Sequence, residues 1–159
     1  MSEPTTEVRE VAASHPAVQE LLRAHHEHMR AVSLPGSCHV FRPSALTGPT
    51  ITLWAVFLGP DELGGCGALR DLGDQSGEIK SMRTVEVHRG AGVASRLLRH
   101  MFEVAAERRY RRLFLETGGW ADFAPARALY RKHGFVPCAP FGDYGDDPNS
   151  CFMTRELLR

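Results

Sequence analysis

Glu86-Val87-His88-Arg89-Gly90-Ala91-Gly92-Val93-Ala94 joins two segments of different periodicity. Before it, Glu78-Ile79-Lys80-Ser81-Met82-Arg83-Thr84-Val85 reads as a strand. After it, Val93 to Arg108 carries Val93, Leu97, Leu98, Met101, Val104 and Ala105 at helical spacing, with Arg96, Arg99, Glu103 and Glu107 on the opposite face. A strand that enters a helix through a glycine loop presents unpaired backbone N–H groups at the positive end of a helix dipole. That is a seat for an anion such as a phosphate. Gly90 and Gly92 permit the tight turn and let a ligand approach the backbone with no Cβ in the way.

The flanking sequence extends this unit in both directions. Ile51 to Leu58 is apolar at nearly every position, and Gly59-Pro60-Asp61-Glu62 is turn chemistry, so a hairpin with Leu63 to Leu72 is predicted. Gly64, Gly65 and Gly67 imply a bulge or close packing in its second strand. Gly73-Asp74-Gln75-Ser76-Gly77 is the next turn and leads into the strand at Glu78. Nearer the N-terminus, Glu7 to Val11 is a short strand. Ser14 caps a helix with Pro16 in its first turn, and Val18, Leu21, Leu22, His25, Met29 and Val32 share one face of it. That helix ends before Pro35-Gly36, and Val32 to Pro49 reads as loop. Downstream come a strand (Leu113 to Thr117), a helix (Ala124 to His133) stopped by Gly134, and a strand (Phe135 to Cys138). A loop (Pro140 to Asn149) and a last strand (Ser150 to Glu156) follow. The order β-α-β-β-β-α-β-α-β-β predicts a mixed sheet with helices on both faces, of the α/β (α+β) class. An exposed final strand would offer an edge for a homodimer.

Composition sets the bounds. At 159 residues, a single domain over 1–159 is expected. Lys plus Arg equal Asp plus Glu at 19 each, so no net charge draws the chain toward nucleic acid or anionic lipid. No apolar run approaches the ~18–20 residues of a membrane span, and Met1 to Val11 is polar and acidic, unlike a signal peptide. Cys38, Cys66, Cys138 and Cys151 lie far apart with no CxxC, which points to the reducing cytoplasm rather than to disulfides or zinc. His25-His26-Glu27-His28 lacks the i, i+4 histidine pair of a helical metal site, so it reads as a partly exposed helix face and no metal is expected.

Three anion-binding patterns compete for the glycine loop. The P-loop pattern is absent. A dinucleotide loop needs a third glycine where Ser95 stands, and a buried parallel strand where Lys80, Arg83 and Glu86 stand. Only Glu116 matches that motif's ribose-binding acid. The third pattern, R-x-x-G-x-[GA], is met by Arg89-Gly90-Ala91-Gly92-Val93-Ala94. Here the chain resembles the GNAT family of acetyl-CoA-dependent N-acetyltransferases. Ala126-Arg127-Ala128-Leu129-Tyr130-Arg131-Lys132-His133-Gly134-Phe135 resembles the family's second signature, A-x-x-L-Y-x-x-x-G-F, and the resemblance spans nearly the whole chain. The ending, with Gly142-Asp143-Tyr144, Pro148-Asn149-Ser150 and Phe152-Met153, is similar to that of a large, poorly characterised bacterial group within the family.

The resemblance implies a mostly antiparallel sheet, acetyl-CoA as co-substrate and an amine acceptor. It implies that Arg89, Gly90, Ala91, Gly92, Val93 and Ala94 hold the pyrophosphate of coenzyme A. The pantetheine arm then lies as an extra strand beside Met82 to Val85, where the backbone of Met82 and Thr84 polarises the thioester, with Arg83 and Arg127 as further cofactor contacts. Tyr130 is the implied general acid toward the departing thiolate. Glu78 is the implied general base, direct or through water, at a position that otherwise reads as a surface carboxylate; Glu116 is the second candidate base. Two positions depart from the family pattern, Phe123 (beside Asp122) where many members have Asn and Glu86 where Pro is usual.

For the acceptor, Asp143, Tyr144, Asp146 and Asp147 form an acidic patch suited to a cationic amine, while Lys80 and Arg83 suit a carboxylate. A small amino-acid-like amine meets both, and Lys80, Glu116 and Tyr144 are its candidate contacts. The competing class is a catalytically weak acyl-CoA sensor. Retention of both Tyr130 and Glu78 favours the enzyme.

Overall fold

In the computed structural model the described residues are 6–32, 48–119, 121–142 and 144–157, the side chains of 25–32 and 122 excepted. The elements are β1 (Glu7–Glu10), α1 (Pro16–Val32), β2 (Ile51–Phe57), β3 (Leu63–Gly73), β4 (Ser76–Thr84), α2 (Val93–Glu107), β5 (Arg112–Gly118), α3 (Ala124–Lys132), β6 (Val136–Pro137) and β7 (Ser150–Glu156). This is the predicted order. The strands form one sheet in the order β1-β2-β3-β4-β5-β7-β6. The β4–β5 pair is parallel and the other neighbours are antiparallel. Among the described residues no helix is long and apolar enough to cross a membrane. The histidine side chains at 25, 26 and 28 and most of the predicted Val32–Pro49 loop lie outside the described residues.

Side-chain alternation divides the core into two layers. Trp54 and Val56 of β2, Leu69 of β3, Ile79 of β4, Leu113 and Leu115 of β5 and Met153 of β7 face α2, which contributes Val93, Leu97, Leu98, Met101 and Ala105. Tyr130 and Phe135 join this layer. The opposite face sets Leu53, Ala55, Phe57, Cys66 and Ala68 against Val18 and Leu22 of α1. The β3 glycines serve close packing. A Cβ at Gly67 would run into Met82, Leu97 and Met101, and one at Gly65 would come within 2.6 Å of the Arg83 carbonyl oxygen.

The β3–β4 connection is a two-residue hairpin. Asp74 and Gln75 sit at φ 51° and 60°, and Gly73 pairs with Ser76, so the strands run closer to the turn than the predicted five-residue loop. Further along, the register slips. Ala68 pairs with Lys80 and Cys66 with Arg83, so one residue of β3, Gly67, opposes two of β4, Ser81 and Met82. Ser81 takes up the extra length at φ 55°. This is a β-bulge, and it reverses the alternation beyond it. Met82 packs into the α2 layer, whereas Arg83, opposite Cys66, follows Glu78 and Lys80 onto the α1 face.

β4 and β5 pair only from Ser76–Arg112 to Ile79–Leu115, although the strands continue to Thr84 and Gly118. Over that stretch β4 keeps its pairing with β3, and β5 stays paired with β7. The sheet therefore opens into a gap. The final strand does not form an edge: β7 lies between β5 and β6. The sheet's edges are β1 and, at this end, the two-residue β6, whose Pro137 has no N–H to donate, so the predicted edge for a homodimer is not at Ser150–Glu156.

Gly67→Ala should cost about 1–3 kcal/mol of stability through overpacking beneath α2. A urea titration should show a lowered midpoint with an unchanged slope; a wild-type midpoint would refute the contact.

Candidate active site

The glycine loop follows β4 through a 3₁₀ turn at Glu86–His88. Glu86, where the family pattern has Pro, opens this turn. Gly90 and Gly92 have φ 85° and 83°, in the left-handed region that favours glycine. No heavy atom lies within 4 Å of a Cβ built at either position, so the concave side is open. Gly92 caps α2 without a side-chain bond, and the first helical hydrogen bond runs from Arg96 N–H to Gly92 O at 2.9 Å. The amides of Val93, Ala94 and Ser95 precede it and have no intrahelical acceptor. The Val93 side chain is buried and anchors the turn, while Arg89, Gly90 and Ala91 are exposed. His88 Nε2 lies 2.9 Å from Glu62 Oε1, tying the loop to the β2–β3 hairpin. His133 Nε2 lies 3.0 Å from Ser95 Oγ, tying the end of α3 to the first turn of α2. This second tie joins the two sequence signatures, and the contiguous reading of each motif did not disclose it.

On the α1 face, Glu78 is 1% exposed and does not behave as a surface carboxylate. Tyr144 donates its hydroxyl to Glu78 Oε2 at 2.7 Å, and Lys80 Nζ lies 3.7 Å from the same oxygen. Glu116 stands half-buried just past the last β4–β5 pair, opposite Phe152. The Tyr144 ring is held by aromatic neighbours. Phe141 lies 5.1 Å and Phe152 5.4 Å away, and Phe114 stacks on Phe141 at 4.7 Å. The loop carrying Tyr144 is fastened by Tyr144 N–H to Phe141 O at 3.1 Å and by Gly119 N–H to Asn149 O at 2.8 Å. Burial, followed by the hydrogen bond to Glu78 and the charges of Glu78 and Glu116, holds the Tyr144 phenol well above its ordinary range. Phe114, Phe141 and Phe152 were not among the predicted site residues. Their signal was the alternation of Phe114 with Leu115, and of Phe152 with Met153, across the sheet.

Tyr130 lies on the other face, in the α2 layer, 6% exposed and edge-on to Phe135 at 5.8 Å. Burial drives its phenol far upward. Arg127 donates from Nη1 to Gly118 O at 2.7 Å, at the C-terminal end of β5. Phe123, where many family members have Asn, supplies no side-chain cap to α3, and its ring fills the space beside Gly118.

The predicted acidic patch does not form one group. Tyr144 joins Glu78, whereas Asp147 accepts from Asn149 N–H at 2.9 Å. Asp146 and Asp147 line a separate cavity of about 310 Å³ with Arg127, Arg131, Cys138 and Cys151. Asp143 lies outside the described residues. The lining of that cavity includes neither Glu78 nor the glycine loop, so the candidate site is the open β4–β5 gap instead. Among the described residues no group of three His, Cys, Asp or Glu side chains is arranged to hold a metal.

Comparison with known proteins adds an independent line. Residues 16–135 match the model of the acetyltransferase (GNAT) family. The uncharacterized N-acetyltransferase YsnE of Bacillus subtilis is 51% identical over 140 residues, covering 88% of this chain and 92% of that protein. The uncharacterized N-acetyltransferase YedL of Escherichia coli is 46% identical over 144 residues, covering 91% and 90%. A solved structure from Klebsiella pneumoniae, a candidate acyl-CoA N-acyltransferase, superposes with a TM-score of 0.80 at 26% identity, covering 98% of this chain and 99% of that one.

All of the chain's three tyrosines, Tyr110, Tyr130 and Tyr144, have phenols raised first by burial. With folded values above the unfolded value of about 10, their contribution is intact below that pH and is lost as pH rises beyond it. Spectrophotometric titration should show no phenolate step near 10, and phenolate should appear only at higher pH, together with loss of the circular dichroism of the fold. A phenolate step near 10 with the fold intact would contradict this environment.

Proposed function

The chain belongs to the acetyltransferase (GNAT) family, and on that premise we propose that it transfers an acetyl group from acetyl-CoA to the primary amine of a small, amino-acid-like molecule, by direct attack in a ternary complex. The observation that carries this reading is the gap between β4 and β5, with the buried Glu78 carboxylate at its closed end and the glycine loop following β4 at its open end. The residues present fit coenzyme A. The loop offers open, Cβ-free amides to a pyrophosphate, and the β5-facing edge of Lys80 to Thr84 offers strand-like hydrogen bonds to an extended arm.

Bound acetyl-CoA supplies the activated thioester; the remaining work falls to this chain. The amides of Val93, Ala94 and Ser95 and the side chain of Arg89 receive the pyrophosphate. The backbone of Met82 and Thr84 holds the extended arm and donates toward the carbonyl oxygen, where negative charge develops. Tyr144 and Lys80 both engage Glu78 Oε2, which leaves Oε1 to accept the proton that the acceptor ammonium must lose. The new N–C bond forms as the C–S bond breaks. Tyr130, kept protonated by burial, would give its proton to the departing sulfur from the opposite face of the sheet, and the second proton that the acceptor nitrogen sheds on becoming an amide would restore it through water. The reading includes a cytosolic setting, supported by cysteines without CxxC spacing, of which Cys66, Cys138 and Cys151 are free thiols.

A thiol-release screen over amino acids, polyamines, aminoglycosides and peptides tests the proposal. Turnover with at least one amine is expected. Glu78→Gln should lower kcat by about 10²–10⁴-fold without changing coenzyme A affinity. Tyr130→Phe should slow release by about tenfold, because a thiolate leaves readily even without an acid. Gly92→Val should weaken coenzyme A binding, since it adds about 1–2 kcal/mol of left-handed strain and puts a side chain into the open space that the pyrophosphate would occupy. Tight acetyl-CoA binding without turnover on any acceptor would make the chain a sensor instead.

A further inference from the structure

Arg83 is half-buried on the α1 face, yet no hydrogen bond or ion pair engages its guanidinium among the described residues. That is an unusual condition for a group with five donors, since a partly buried cation loses hydration without recovering it from a partner. Its neighbours do not relieve it. Burial, and after it the nearby Arg89, hold its pKa below the ordinary arginine value, with Glu86 opposing them less strongly.

The backbone has been arranged to put Arg83 there. Strict alternation after Lys80 would bring Met82 to this face and turn Arg83 toward α2. The bulge inverts that choice by holding Ser81 at φ 55°, a conformation that costs a non-glycine residue on the order of 1–3 kcal/mol. The result is a row along β4 of a carboxylate, an ammonium and a guanidinium: Glu78 opposite Arg70, Lys80 opposite Ala68 and Arg83 opposite Cys66. Ala68 and Cys66 are themselves buried against α1, so the row is approached from the β4–β5 gap rather than from the β3 side.

We propose that Arg83, assisted by Lys80, is the seat of a carboxylate on the acceptor, so that the substrate class is an amine bearing a carboxylate rather than a polyamine or an aminoglycoside. This rests on the reading of Glu78 as the base, because the carboxylate seat is placed on the face that carries Glu78. The chemistry of the seat, a fork of donors for an oxyanion, also suits a phosphate of coenzyme A. The glycine loop's free amides open α2, whose Val93 packs on the opposite face of the sheet, while Arg89 of the same loop lies near Arg83, so the test separates an acceptor carboxylate from a cofactor phosphate. The β3 partners of Glu78 and Arg83, Arg70 and Cys66, lie four positions apart, about 13 Å of strand. The spacing between amine and carboxylate is therefore a variable to scan.

The test uses the full chain saturated with coenzyme A and titrated calorimetrically with N-acetylated products: an α-amino acid series and ω-amino acids of increasing length, each beside its neutral amide. At least one acid should bind about tenfold or more tightly than its amide. Arg83→Gln should abolish that difference while leaving coenzyme A affinity unchanged, and Arg83→Lys should retain part of it. The melting temperature of Arg83→Gln without ligand should equal or exceed that of the wild type, because an unpaired charge is removed. Equal binding of acids and amides, or binding of none, overturns the proposal. So does a loss of coenzyme A affinity in Arg83→Gln with the acid preference intact, which would give the guanidinium to a cofactor phosphate. A melting temperature lowered by several degrees would show a structural role and overturn it as well. Thiol release with polyamines equal to that with amino acids would leave acetyl transfer standing and remove only the carboxylate seat. Failure to bind coenzyme A would strike the acetyl-transfer reading itself.

Discussion

The separation of β4 from β5 beyond the Ile79–Leu115 pair is the constraint on which the rest of the site depends. A parallel ladder that stops while both strands continue exposes a row of backbone donors and acceptors on each, and such groups are costly to leave unsatisfied away from water. The fold keeps each strand in place from its other side. β3 holds β4 as far as Thr84, and β7 holds β5 as far as Gly118. The gap is thus rigidly framed and chemically unsaturated, which suits an extended ligand with an amide backbone of its own. The bulge at Ser81 sits on β4 just where the ladder ends, and the added local twist of a bulge accounts for the divergence.

The sheet also separates two tasks. Its α2 face supplies the apolar bed that fixes Val93 at the start of α2 and encloses Tyr130. Its α1 face carries Glu78, Lys80, Arg83 and Glu116, with Phe114, Phe141 and Phe152 framing Tyr144. A carboxylate as buried as Glu78 needs partners to offset its lost hydration, and Tyr144 and Lys80 provide them. Neither is placed by its own strand alone. The Tyr144 hydroxyl arrives from a loop 66 residues downstream, and that loop is held by aromatic contacts to β5 and β7. The geometry around the Glu78 carboxylate on β4 therefore depends on the packing of the C-terminal part of the chain.

This explains which features could be read in the sequence. The glycine loop and the Tyr130 segment were legible because each signature is contiguous and its physics is local: a turn, a helix start and a helix stop. The succession of elements was legible for the same reason. The bulge was not, since a serine in the left-handed region leaves no signal comparable to a glycine, and alternation read without it sends Arg83 to the wrong face. Glu78 resembled a surface residue because its hydrogen-bond partner, Tyr144, comes from a loop 66 residues downstream. The acidic patch was over-read for a related reason. Proximity in sequence grouped Tyr144 with Asp146 and Asp147, while the turn at Asp147–Asn149 sends those carboxylates to another cavity. β7 looked like an edge because it comes last in the chain; the strand at Phe135 to Cys138 was legible, but its pairing on the outer side of β7 was not.

The charges on the α1 face set the terms for whatever binds there. Glu78 and Glu116 lie beside the gap, and Lys80 and Arg83 continue the row toward the glycine loop. A purely cationic acceptor would meet the carboxylates at the cost of lying against Lys80 and Arg83. A purely anionic one would satisfy the cations but bring no amine to Glu78. A molecule with both groups would satisfy the two ends of the row together, which under the proposed reading orients its amine toward Glu78. Lys80, in contact with Glu78 at 3.7 Å and next to Arg83 along the same face, stands at the junction of the two ends. A carboxylate drawn toward Lys80 would weaken its hold on Glu78 Oε2 and leave Tyr144 as the partner that keeps the Glu78 carboxylate in place. The hydroxyl of Tyr144 is suited to that task because, with its phenol raised, it remains a donor whether or not the acceptor is bound.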